Sequence, residues 1–116
     1  MRSNPLYLHI TVLLAAVFLV SSLAQATEPA PERRSEIIRM VRQDCGSCHG
    51  LTLKGGLGPA LLPANLSDRE VDVVAATVLH GRPGTPMPGW SQFLSLEEAR
   101  WVVARLMSGF PEETPR

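Results

Sequence analysis

Aromatic side chains are scarce in this sequence. Three Phe, two Trp and one Tyr occur in 116 residues, and Tyr7 and Phe18 fall within the first 26. A chain of this length forms one domain at most, and its core is thin for its surface. With so few large side chains to fill it, the middle must be occupied by something besides the polypeptide. An excess of charge of either sign is also missing, since 11 Lys and Arg balance 11 Asp and Glu. Without residues 1–26, which contribute only Arg2, ten basic side chains face eleven acidic ones, a net charge of −1. That excludes the basic footprint of a nucleic-acid binder and the strongly basic face that steers docking onto an acidic partner. Cysteine is limited to Cys45 and Cys48, and histidine to His9, His49 and His80.

What the N-terminus does have is an export pattern. Arg2 supplies a positive start, Leu6 to Leu23 is dominated by Leu, Val, Ala, Ile and Phe, and Ala24-Gln25-Ala26 offers small-x-small for cleavage before Thr27. The alternative is a retained anchor, because the apolar stretch is near the lower length for spanning a bilayer. His9 and Thr11 interrupt it, and the Ala-x-Ala follows at the right place, so residues 1–26 read as a cleaved signal peptide.

The two cysteines sit in Cys45-Gly46-Ser47-Cys48-His49. Two thiols two residues apart, with histidine directly after the second, are what covalent attachment of a c-type haem requires. Each sulfur forms a thioether to one vinyl group of the porphyrin, and His49 is placed to ligate the iron. Three rivals are weaker. A zinc site needs four ligands, and no second cysteine pair exists. A thioredoxin-like redox pair wants a βαβ setting, which is absent. A plain disulfide gives His49 no role. Haem attachment to thiols outside the bacterial cytoplasm agrees with the export signal, and a haem supplies the interior the chain lacks.

Thr27 to Arg34 reads as a flexible leader, Ser35 to Phe110 as the domain and Pro111 to Arg116 as a frayed tail. A first helix is expected over Glu32 to Asp44, with Ile37, Ile38, Val41 and Cys45 on one face and Arg33, Arg34, Arg39 and Arg42 mostly on the remaining surface. Gly50 to Pro63 contains too many Gly and Pro to be a long helix. It reads as a loop at one haem edge, in which the Pro59 carbonyl accepts a hydrogen bond from His49 Nδ1 and so orients the ring; an ordinary surface loop is the alternative. Ser67 and Glu70 form a capping-box pattern before a helix over Asp68 to His80, with Gly81 at its end. Ser95 and Glu98 repeat that pattern before a final helix to Ser108, where Trp101 adds a large contact against the first helix.

Between those helices lies Arg82-Pro83-Gly84-Thr85-Pro86-Met87-Pro88-Gly89-Trp90, which excludes helix and central strand. Prolines on both sides hold Met87 extended, which lowers the entropy of placing its thioether on iron. The other candidates for the second axial ligand are Met40 and Met107, on apolar helix faces where methionine is usually filler, and His80 at a helix end. Met87 is the reading preferred here, with His80 the alternative. Methionine favours Fe(II) and a fairly high potential, and two filled axial positions favour electron transfer over catalysis.

Helix, C-G-S-C-H, a G-x-G-P loop, a central helix, an M-P loop and a terminal helix together resemble a class I cytochrome c over about Ser35 to Leu106. The stretches Cys45 to Leu61 (CGSCHGLTLKGGLGPAL) and Leu79 to Trp90 (LHGRPGTPMPGW) resemble more closely the NirC-type cytochromes c associated with haem cd-type nitrite reductase in denitrifying bacteria. The resemblance implies an all-α fold of three to four short helices around one haem, and a periplasmic, non-enzymatic electron donor to nitrite reductase. It also implies a role in maturing the reductase's tetrapyrrole as an alternative. Haem-based ligand sensing is a third reading, should Met87 dissociate easily. A monomer with a small, transient redox docking surface is expected. That surface is a mostly neutral rim of Gly46, Ser47, Leu51, Gly55, Gly56 and Leu57, with Lys54 and Arg82 adding weak attraction.

Overall fold

The computed structural model describes residues 27–112, so the expected signal segment 1–26 lies outside the described residues. Among the described residues there is no strand, and the architecture is all-α. Helix α1 spans Pro31–Met40, starting on a proline at its first position, where the missing N–H costs nothing. It continues through a π-helical turn, Val41–Cys45, into the single turn α2, Gly46–His49. The expected helix to Asp44 therefore carries on to His49, but with a wider turn in its middle, where the Gly46 N–H bonds back to Val41 O.

Arg42, within that turn, is a second departure. Expected at the surface, it is buried at 8% exposure. Its guanidinium donates to Phe110 O at 2.8 Å and to Pro111 O at 3.0 and 3.1 Å, and meets the Glu112 carboxylate at 3.1 Å. The start of the expected tail, Pro111 and Glu112, is thereby held against the first helix, and residues 113–116 lie outside the described residues.

The second half is built from α3 (Pro63–Leu66), α4 (Val71–His80) and α5 (Leu96–Ser108), with α5 packed along α4 and against α3. The expected cap at Ser67 is not made. Pro63 starts its own helical turn, Ser67 ends that turn, and α4 begins only after Glu70, with no side-chain cap. At α5 both halves of the capping box form: Glu98 N–H bonds Ser95 Oγ at 3.1 Å, and Ser95 N–H bonds the Glu98 carboxylate at 2.9 Å.

Glu98 also receives Arg33 at 2.7 and 3.1 Å, while Arg33 reaches Phe93 O at 2.6 Å. The first helical run is thus tied to the start of α5 by Arg33, in α1, and to the segment just after α5 by Arg42, in the π-helical turn. Between those ties Ile37, Val41, Ala99, Val102, Val103 and Leu106 form the centre of a small apolar core. Trp101 is buried as well, with Arg105 over its ring at 5.9 Å and its indole N–H without a hydrogen-bond partner.

Candidate haem site

Two loops carry the candidate residues, one after α2 and one after α4. The α1–α2 run delivers Cys45, Cys48 and His49 on consecutive turns. Cys45 is half-buried, Cys48 is exposed, and both are free thiols. Burial, with the neighbouring Asp44 carboxylate adding to it, pushes the Cys45 thiol up to about 11. A redox-exchange thiol is activated by a lowered value, and Cys45 is shifted the other way. Among the described residues no group of three His, Cys, Asp or Glu is placed to hold a metal ion, which leaves the zinc reading without its ligands.

The chain then folds back on His49. Gly55 N–H bonds His49 O and Gly58 N–H bonds Cys48 O, both at 2.8 Å. Leu53 anchors the loop in the core at 2% exposure, in a left-handed conformation that non-glycine residues rarely adopt. This return lays Pro59 beside the imidazole, with His49 Nδ1 at 2.7 Å from Pro59 O. A carbonyl can only accept, so Nδ1 carries the proton and the Nε2 lone pair of the neutral ring is left for iron. Gly58 makes the approach feasible, because a Cβ there would stand 2.9 Å from ring atoms of His49.

The second loop presents Met87, half-buried between exposed Pro86 and Pro88. Met40 and Met107 pack against the hydrophobic core, while His80 is exposed in the last turn of α4. The structure therefore joins His49 to Pro59, carries Cys45 and Cys48 on the helical run that ends at His49, and places Met87 on a separate segment.

A protein-family profile described as cytochrome c oxidase, cbb3-type, subunit III matches residues 33–104. Cytochrome c55X from Stutzerimonas stutzeri is 48% identical over 100 residues, covering 86% of this chain and 88% of the relative. The chain belongs to the cytochrome c55X family. A solved structure of c-type cytochrome NirC is similar to it with a TM-score of 0.69 at 50% identity, covering 71% of this chain and 96% of that one. A structure titled dihydro-haem d1 dehydrogenase NirN in complex with DHE aligns with a TM-score of 0.55 at 38% identity, over 67% of this chain but only 16% of that larger one.

Membership of the c55X family makes this a haem-binding electron-transfer cytochrome, a carrier rather than an enzyme. The donor chemistry fits such a group: two unpaired thiols two residues apart, an imidazole with its free nitrogen fixed, and a thioether on a stiff segment. Leu51 and Leu57, on the loop that follows the cysteines, are 69% and 96% exposed, so the rim there is apolar. Among the described residues no helix is long and apolar enough to cross a membrane.

Sequence reasoning missed three parts of this arrangement: Gly58 against the imidazole, Arg42 as a tie to the C-terminal segment, and the contacts that hold the Met87 loop. A glycine immediately before the accepting proline was the available signal for the first. Nothing in the helical periodicity signalled the second.

Proposed function

We propose that this c55X-family cytochrome is an exported periplasmic protein carrying one covalently attached haem, and that it donates electrons to a cd-type nitrite reductase. Cys45 and Cys48 would hold the porphyrin through thioethers, and His49 Nε2 and the Met87 thioether would ligate its iron. When bound, the haem supplies a one-electron iron couple. The chain's residues make that couple suitable for a carrier. The Pro59 carbonyl raises the basicity of His49 and fixes its ring, and the Met87 thioether favours the reduced state. With both the imidazole and the thioether serving as ligands, the iron would offer no place for a substrate. Leu51 and Leu57 provide an apolar rim for brief docking, with Lys54 and Arg82 adding an attraction that salt screens.

The observation that carries this reading is the His49–Pro59 hydrogen bond directly after Cys45-x-x-Cys48, which leaves one imidazole nitrogen free for a metal. The sequence pattern in residues 1–26 supports export and cleavage before Thr27; residues 35–110 are proposed as the functional domain, acting as a monomer.

Turnover of purified cd-type nitrite reductase, with this reduced cytochrome as sole electron donor, tests the assignment. Sustained nitrite reduction is expected, and no electron transfer with haem intact refutes it. A second reading is favoured by the likeness to dihydro-haem d1 dehydrogenase: an accessory role in making the reductase's tetrapyrrole. Loss of the mature tetrapyrrole in a deletion strain, with electron supply to purified reductase unaffected, selects it over the first.

A further inference from the structure

The loop that presents Met87 is closed at its base by backbone alone. At the end of α4, Gly81 adopts φ +71° and ψ −168°, a conformation essentially restricted to glycine. A Cβ at Gly81 would stand 2.6 Å from Met87 O, 2.7 Å from Pro88 C and 2.8 Å from Gly89 N. Across the loop, a Cβ at Gly89 would stand 2.7 Å from Leu79 O and 3.1 Å from His80 C. Every one of these neighbours is a main-chain atom, so no flexible side chain can move to make room. Where the two segments touch, Arg82 N–H bonds Met87 O at 3.2 Å, Trp90 N–H reaches Val78 O and Leu79 O at 3.0 and 3.1 Å, and Ser91 N–H reaches Leu79 O at 3.2 Å. Two of the last carbonyls of α4, those of Val78 and Leu79, which a helix end leaves without partners, are thus satisfied by the chain returning from Met87.

We infer that Gly81 and Gly89 are positioning residues for Met87: their lack of side chains lets the loop close on the end of α4, and that closure fixes where the thioether stands. The prolines stiffen the loop, while this contact, together with Trp90 packed against the core, locates the loop on the rest of the protein. The Met87 carbonyl is itself one of the touching groups, so opening the base moves the residue that bears the sulfur. The inference rests on Met87 being the second axial ligand.

Gly84 provides an internal control. It shares a positive φ, +77°, and sits in the same loop, yet a Cβ there would meet nothing within 4 Å. Gly84→Ala therefore tests backbone conformation alone, Gly89→Ala tests contact alone, and Gly81→Ala tests both. The experiment compares haem-loaded wild type with these variants and Met87→Ala. Its readouts are the sulfur-to-iron(III) charge-transfer band, the affinity for added imidazole, and the denaturation midpoint.

Wild type and Gly84→Ala are expected to keep the band. Gly81→Ala and Gly89→Ala are expected to lose or weaken it and to bind imidazole about tenfold or more tightly, because a larger fraction of molecules presents an open position. A band and imidazole affinity in Gly81→Ala and Gly89→Ala equal to those of Gly84→Ala overturn the proposal. A wild type without the band, or one whose spectrum Met87→Ala leaves unchanged, shows instead that the ligand assignment is what fails, and the positioning role falls with it. Should the clasp variants not accumulate as folded protein, amide exchange in the wild type decides. Protection of the Arg82, Trp90 and Ser91 N–H groups relative to Gly84 supports closure, and equal, unprotected exchange refutes it.

Discussion

Replacing Arg42 by alanine removes a charged group from between the first helix and the segment after α5. Its guanidinium makes three contacts with the carbonyls of Phe110 and Pro111 and lies 5.6 Å from the Phe110 ring centroid. The Glu112 partner is 90% exposed, so that ion pair adds little. Hydrogen bonds to a charged group contribute about 1.5–3 kcal/mol each, net of the water they displace, and a partly exposed cation–π contact adds about 0.5–1 kcal/mol. The released segment regains entropy, at about 1–2 kcal/mol per residue, which offsets much of the sum. The expected net loss is about 2 kcal/mol, lowering the melting temperature by about 10 °C for a domain of this size. Arg42→Lys should recover little, because a single ammonium lacks the fork that reaches both carbonyls. Equilibrium denaturation of the haem-loaded protein reads the effect. A loss below about 0.5 kcal/mol, the range of an ordinary surface substitution, refutes the structural role assigned to Arg42.

Ser95→Ala should destabilise by about 1 kcal/mol through loss of the α5 cap, whereas Ser67→Ala should change denaturation by no more than a surface substitution does. Met87→Ala should lower the reduction potential and open the iron to added ligands; an unchanged potential points to His80 instead. The Arg33 guanidinium, by hydrogen bonding, holds the Glu98 carboxyl below its usual range. Its stabilisation is therefore complete above the ordinary glutamate value of about 4.3 and is lost as pH falls through the lower folded-state value. Stability measured from pH 7 down to acid should fall less steeply in Glu98→Gln than in the wild type; parallel curves refute the pairing's contribution.

Where structure is set by neighbouring residues, the sequence was readable. The helical run into Cys45, Cys48 and His49 needs only local periodicity, and the α5 cap needs only Ser95 and Glu98 three positions apart. The same pattern at Ser67 and Glu70 misled, because Pro63, four residues before Ser67, nucleates a turn that Ser67 terminates instead. Arg42 was illegible for a different reason: its burial depends on Phe110 and Pro111, 68 and 69 positions away, and helical periodicity sees only one element at a time. The π-helical turn likewise alters phase without leaving a compositional mark. Gly81 was legible as a helix end but not as the partner of Gly89. That relation exists only once the loop has closed, and it concerns backbone atoms that no side-chain pattern encodes.

The mass of the native protein recovered from the periplasm, measured after denaturation so that only bonded groups remain, tests the central claim most directly. The account predicts a chain beginning at Thr27 and heavier than the bare polypeptide by one haem, with neither Cys45 nor Cys48 open to thiol reagents. A polypeptide of unmodified mass with two reactive thiols contradicts it.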